Sequence, residues 1–200
     1  MIYTKIRANS YILYLLALFI MSGCSKTVKQ THENYGVPKN TVLLISIDGF
    51  RWDYFEKAVT PNFDKFIKSG VRAQGLIPPF PSKTFPSHIS MVTGRYPEGH
   101  GIVANTMFDP IFNEYYYIGE NSKPVLDGKW YEAEPVWVTA EKQGKKAMTM
   151  FWPASEAEIM GVRPTEYFVY NESITHSERI DQIVKWLDYP DHKRGNFFSL

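Results

Sequence analysis

Two spacings of apolar residues alternate along the chain. Thr41 to Ile47, Thr-Val-Leu-Leu-Ile-Ser-Ile, is nearly continuous and rich in β-branched residues. That is the pattern of a strand covered on both faces, as in a mainly parallel sheet. It ends in Asp48-Gly49. Thr60-Pro61 then pairs a capping hydroxyl with a proline at the first helical position; Phe63, Phe66 and Ile67 fall on one face, and Gly70 stops the helix. Val71 to Ile77 reads as a further strand, broken by Pro78 and Pro79. A second helix opens at Thr84-Phe85-Pro86, runs through His88, Ile89, Met91 and Val92, and closes at Gly94. Pro135 to Gln143 reads as a third helix, with Gly144 behind it, and Ala147 to Phe151 as a strand. Thr175-His-Ser-Glu178 has capping-box spacing, and Ile180, Ile183, Val184 and Leu187 recur at helical intervals after it. Asn196-Phe-Phe-Ser-Leu200 begins another apolar strand. Alternating strands and helices of this kind predict an α/β/α layered domain.

The first forty residues follow neither spacing. Lys5 and Arg7 precede an apolar run, Tyr11 to Met21, which meets Ser22, Gly23 and Cys24. A basic start, a short apolar core and small residues describe a secretory signal, and the run is too short for a membrane span of about 20 apolar residues. Met21-Ser22-Gly23-Cys24 also resembles the bacterial lipoprotein signal, in which the cysteine becomes the lipidated first residue. The plainer alternative is an unpaired thiol beside a cleavage site. Cys24 is the one cysteine, so no disulfide forms within the chain. Ser25 to Asn40 is polar and reads as a tether. The expected organisation is a signal over 1–23, a tether over 24–40 and a folded part over 41–200, exported and lipid-anchored through Cys24 to a bacterial membrane, facing the periplasm or on the outer membrane.

Composition narrows the function classes. Two hundred residues suffice for one sizeable domain. With 44% hydrophobic and 16% aromatic residues, the chain is neither disordered nor a low-complexity scaffold. A net charge of +1 gives no general attraction to nucleic acid, so a phosphate compound must be held by a local site.

Three residues are candidates for such a site. Ligands of open α/β sheets bind at the carboxyl ends of the strands, where Asp48 stands; as a metal ligand it competes with an ordinary turn or capping aspartate. Thr84 opens a helix, where a hydroxyl commonly serves as a cap. The same position suits a nucleophile toward phosphorus, because free amides and the helix dipole favour an incoming phosphate. A hydroxyl is a weak nucleophile and needs a metal or base beside it. Asn105, after the loop bracketed by Gly94 and Gly101, is either a turn residue or a donor to a phosphoryl oxygen.

Longer motifs are far more specific. Leu44-Ile-Ser-Ile-Asp-Gly-Phe-Arg-Trp-Asp-Tyr54, Thr60-Pro-Asn62, Pro81-Ser-Lys-Thr-Phe-Pro-Ser-His88, Thr93-Gly-Arg-Tyr-Pro-Glu-Gly-His-Gly101, Asn105, Glu134-Pro-Val-Trp137 and Phe151-Trp-Pro153 follow one another in order. Together they closely resemble the nucleotide pyrophosphatase/phosphodiesterase family of the alkaline phosphatase superfamily. The resemblance implies an alkaline-phosphatase-like α/β/α sandwich with a mainly parallel sheet and two zinc ions. It implies Asp48 as a metal ligand and Thr84 as the nucleophile, which also touches a metal and is transiently nucleotidylated. It implies Asn105 as the binder of a phosphate oxygen. Phe85, Trp152 and Tyr167 match positions near the substrate, where rings stack on or wall in a nucleobase, and Ile118 falls near an apolar pocket position. The alternative for each is core packing. His88 and His100 match no ligand and read as hydrogen-bonding structural residues.

The implied activity is hydrolysis of nucleotide phosphodiester and pyrophosphate bonds, releasing a nucleoside monophosphate. Alternatives are a phosphomonoesterase of the same superfamily, cleavage of choline-containing lipid phosphodiesters, or an inactive lipid-tethered remnant. Relatives supply more aspartate and histidine ligands downstream of the position matching Leu200. The expectation is therefore a C-terminally truncated catalytic domain, inactive and poorly folded when made alone.

Overall fold

A four-stranded parallel sheet carries the architecture. A computed structural model of the protein describes residues 41–119 and 122–200; the signal and tether expected over 1–40 lie outside the described residues. In chain order the strands are β1 (Val42–Leu44), β2 (Thr106–Asp109), β3 (Glu114–Tyr117), β4 (Ala147–Met150), β5 (Glu166–Phe168) and β6 (Phe197–Ser199). The helices are α1 (Tyr54–Lys57), α2 (Pro61–Ser69), α3 (Thr84–Thr93), α4 (Pro97–His100), α5 (Lys123–Leu126), α6 (Val136–Lys142) and α7 (His176–Leu187). The main sheet has the order β1-β6-β4-β5, while β2 and β3 form a separate antiparallel hairpin.

Strand register fixes which side chains share a face. Leu44 pairs with Ser199, Ser199 with Thr149, and Thr149 with Tyr167. Neighbours in register point the same way, and the next residue along points the other way. Ala147, Phe197 and Leu44 therefore meet the larger core, which Ile89 and Val92 of α3 and Trp137 and Val138 of α6 complete. Met148, Met150 and Phe198 face the opposite side and pack on Ile183 and Trp186 of α7. Helices thus cover both faces of β4 and β6.

The sequence patterns of α2, α3, α6 and α7 produce helices within a residue or two of their expected bounds. At the start of α7 the Thr175 hydroxyl accepts the Glu178 amide, and the Glu178 carboxylate accepts the Thr175 amide, closing the expected capping box. Gly94 ends α3 at φ 65°, in the left-handed region open to glycine, with its N–H on the Ser90 carbonyl.

Two expectations need correction. Segment 71–77 is not a strand. It is held instead by Arg72 Nη2 donating to the Trp52 carbonyl at 3.1 Å, and Leu76 and Ile77 are exposed. Among the described residues β1 is not covered on both faces either: Leu43, Ile45 and Ile47 are exposed, because α7 covers the sheet only as far as β6. The apolar face of α2 is likewise unburied among the described residues, although Phe63 meets the rings of Phe50 and Phe55.

Candidate active site

The carboxyl end of β1 and the first turn of α3 come together. Beyond Leu44 the chain stays laddered to β6, with the Ser46 amide on the Leu200 carbonyl at 2.8 Å. Two residues further on, in the turn that follows this extension, Asp48 is exposed. Thr84 is the first residue of α3 and not its cap; the preceding Lys83 makes no side-chain capping bond. The Thr84 hydroxyl, free of a capping role, donates to Asp48 Oδ2 at 3.0 Å. Thirty-six residues apart in sequence, the two are joined directly.

Asn105 reaches the same turn from another direction. It stands at the base of the β2–β3 hairpin, anchored by its carbonyl, which accepts the Ile118 amide at 3.0 Å. Its side-chain Oδ1 accepts the Phe85 amide at 3.0 Å. This bond assigns the amide orientation: the oxygen faces α3 and Nδ2 the opposite direction. Since Pro86 has no N–H, the first turn of α3 presents few orphan donors.

The remaining site residues fall in different surroundings. Phe85 is half-buried, edge-on to Tyr116 at 6.2 Å. Ile118 packs partly buried against the larger core. Trp152 is 1% exposed and lies inside that core, its ring edge-on to His88 at 5.4 Å. Tyr167 is exposed, with the Arg163 guanidinium over its ring at 5.3 Å. Register puts it level with Leu44 and three strands away, so neither hydrogen bond nor ring contact joins it to the Asp48–Thr84 pair. Past the end of β5, Tyr170 meets Phe151 at 5.4 Å; the aromatic cluster Tyr-Phe-Val-Tyr was its one signal in the sequence.

Both motif histidines are engaged in hydrogen bonds. His88 Nδ1 lies 2.7 Å from the Thr84 carbonyl and Nε2 lies 2.8 Å from Ser46 Oγ. A carbonyl only accepts, so Nδ1 carries the proton. His100 Nδ1 accepts the Ile102 amide at 3.2 Å, and Nε2 donates to Ser90 Oγ at 2.9 Å. Burial holds the pKa of His100 below its usual value.

Sequence reasoning missed Glu156. This side chain is 5% exposed, and burial pushes its pKa up to about 7 despite hydrogen bonds from backbone amides, its own and that of Tyr170. Nearby, the Tyr131 hydroxyl donates to the Val125 carbonyl at 2.9 Å and so receives the Tyr116 hydroxyl at 3.1 Å.

The donor set bears on metal binding. Asp48 and Thr84 offer a carboxylate and a hydroxyl on one exposed edge, oxygen donors suited to a divalent cation. Among the described residues no group of three or more histidine, cysteine, aspartate or glutamate side chains converges. The pair therefore fits part of a coordination shell and not the four ligands of a closed zinc site.

Comparison with known proteins settles the family. The model of the type I phosphodiesterase/nucleotide pyrophosphatase family matches residues 42–200. The chain belongs to that family. It is 40% identical over 173 residues to ectonucleotide pyrophosphatase/phosphodiesterase family member 3 of Bos taurus, covering 86% of this chain and 19% of that protein. Against family member 1 of Homo sapiens it is 43% identical over 160 residues, covering 79% and 17%. The structure of human ectonucleotide pyrophosphatase/phosphodiesterase 5 superimposes with a TM-score of 0.75 at 38% identity, covering 80% of this chain and 42% of that one. An inactive murine form of the same protein, with a threonine replaced by alanine, was solved in complex with AMP. The chain thus spans under half the length of these relatives. Their likeness gives it the expected alkaline-phosphatase-like α/β fold.

Proposed function

We propose that residues 41–200 carry the nucleophile-bearing part of a metal-dependent phosphodiesterase. It cleaves nucleotide phosphodiester and pyrophosphate bonds and releases a nucleoside monophosphate. The observation that carries the proposal is the 3.0 Å hydrogen bond from Thr84 Oγ to Asp48, at a helix N-terminus beside the carboxyl end of the sheet. In this reading Thr84 Oγ attacks phosphorus, and the bond to the leaving oxygen breaks. Water then breaks the new Oγ–P bond and regenerates Thr84. Asp48 holds the Thr84 proton and turns an oxygen lone pair outward. Asn105, its Oδ1 occupied by the Phe85 amide, directs Nδ2 donors at a phosphoryl oxygen that gains charge. Two zinc ions held by Asp48, Thr84 and ligands outside the described residues would lower the hydroxyl pKa and offset charge on the reacting oxygens.

AMP is the ligand captured in the murine relative, and the inactive form there lacks one threonine; both support a nucleotide substrate and a threonine nucleophile here. The test is turnover of a nitrophenyl nucleotide ester against nitrophenyl phosphate by the natural protein, before and after chelation. Preference for the diester, loss on chelation and loss in Thr84→Ala are expected. Preference for the monoester would move the assignment to a phosphomonoesterase, and full activity in Thr84→Ala would remove Thr84 from the mechanism. The same proposal includes export and anchoring through Cys24; a Cys24→Ala protein that stays on membranes would overturn that part.

A further inference from the structure

The first turn of α3 must keep Thr84 aimed at Asp48, yet its own hold is only backbone, the Ser87 amide on the Lys83 carbonyl at 3.0 Å. Lys83 provides no side-chain cap, and an uncapped helix end frays readily. Two side-chain links hold it in addition. One is Asn105 on the Phe85 amide. The other is His88, one turn further along α3, whose ring spans the gap between helix and strand. Its Nδ1–H donates to the Thr84 carbonyl at 2.7 Å, and its Nε2 accepts the Ser46 hydroxyl at 2.8 Å. Ser46 is the residue two before Asp48, and its own backbone is fixed by the Leu200 carbonyl.

We propose that His88 is a positioning residue for the nucleophile. It clamps the strand that presents Asp48 to the helix turn that presents Thr84, and thereby sets the distance across which the Thr84 hydroxyl meets the carboxylate. The inference rests on the proposed function for its catalytic meaning, though the clamp is a matter of geometry. Ser46, His88, Thr84 and Asp48 close a ring of contacts through the backbone of Ile47. Only 6% of His88 is exposed, and Trp152 stands edge-on to it at 5.4 Å, which stops the imidazole from turning away. Trp152 is thereby assigned a place behind the clamp. The ring leaves neither nitrogen for a metal ion, because both point at protein partners in the neutral tautomer.

Ser46→Ala is the cleanest perturbation, since it removes the strand end of the clamp and leaves the histidine and its packing in place. In the natural protein, kcat for a nitrophenyl nucleotide ester is expected to fall about 10- to 100-fold, with KM changed by less than about twofold. His88→Asn keeps a donor near the Nδ1 position but cannot reach Ser46. It should match Ser46→Ala, and combining the two should lower kcat no further. His88→Phe fills the same space against Trp152 without either bond. A clamp predicts that this variant is as slow as His88→Ala, whereas a packing role predicts recovery. Unchanged kcat in Ser46→Ala, or recovery in His88→Phe, overturns the proposal. Crystal structures of the wild type and Ser46→Ala decide the geometry without activity: the Thr84 Oγ–Asp48 separation should exceed hydrogen-bond reach in the variant. If the wild type turns over no nucleotide ester, the functional reading has failed. The separation alone then judges the clamp, and an unchanged distance overturns it.

Discussion

Replacing Glu156 by glutamine should flatten the dependence of folding stability on pH. In the folded protein burial raises the carboxyl to about 7, against 4.5 for a glutamate in water. The folded state therefore binds a proton that the unfolded state releases between those values. The stabilisation is complete below pH 4.5, declines as pH rises, and is gone above about 7. At about 1.4 kcal/mol per pH unit the total is roughly 3 kcal/mol, and the slope approaches about 1.4 kcal/mol per unit near pH 6. Glutamine carries no proton to release, so its contribution is constant. Its Oε1 can take the backbone amides that now serve Glu156, while its buried NH2 costs about 1–3 kcal/mol if left unpaired. The net change at pH 8 is therefore small, and the slope is the decisive quantity. Urea midpoints between pH 4.5 and 8 measure it, followed by the fluorescence of Trp130, Trp137, Trp152 and Trp186, each at most 2% exposed. Parallel profiles for wild type and Glu156→Gln would refute the reasoning, because a carboxyl in contact with water titrates alike in both states.

Other outcomes follow from single contacts. Asn105→Ala removes the acceptor of the Phe85 amide and the proposed phosphate donor together; kcat for nucleotide esters should fall about 100-fold or more, as for loss of an oxyanion donor. Asn105→Asp keeps the acceptor but puts negative charge at the phosphate, and steady-state kinetics should show it no more active than alanine. Gly128→Ala would place a Cβ 1.8 Å from the Glu158 carbonyl oxygen, so denaturation should register a loss of about 1–3 kcal/mol or more. Thr175→Ala opens the capping box of α7 and should cost about 1 kcal/mol, read as a lower urea midpoint with activity unchanged.

The main helices were legible because each carries its own boundary chemistry: Pro61 at the start of α2, where the Thr60 hydroxyl makes no capping bond and donates to Asp64 instead, Gly94 after α3, the Thr175–Glu178 box before α7. Strands β1, β4 and β6 were legible as apolar runs. Segment 71–77 has the composition of a strand, yet among the described residues it pairs with no neighbour, and pairing rather than composition makes a strand. The β2–β3 hairpin was overlooked although Asp109 marks its turn, its side chain accepting the amides of Ile111 and Phe112 at 2.7 and 2.9 Å. At the candidate site, residue type and position pointed to Asp48 and Thr84 separately. Their contact, the Asn105–Phe85 bond and the His88–Ser46 bond join residues distant in sequence, and spacing along a chain does not encode which of them meet.

The pairing of β1 with β6 has a consequence for how the molecule is made. Among the described residues β6 is its sole strand partner, and Val42 pairs with Phe197, which leaves the ribosome about 150 residues later. Closing a loop of that length is slow and must precede any contact that rewards it. Segments between them, such as the hairpin and the core around Trp137, draw on nearer residues and have no need to wait. Ser46 and Asp48 thus reach α3 only after β6 has arrived to hold their strand. The two sides of the Asp48–Thr84 contact are thus made early and joined late, and a nascent chain that has not yet made β6 carries Thr84 without the carboxylate its hydroxyl meets.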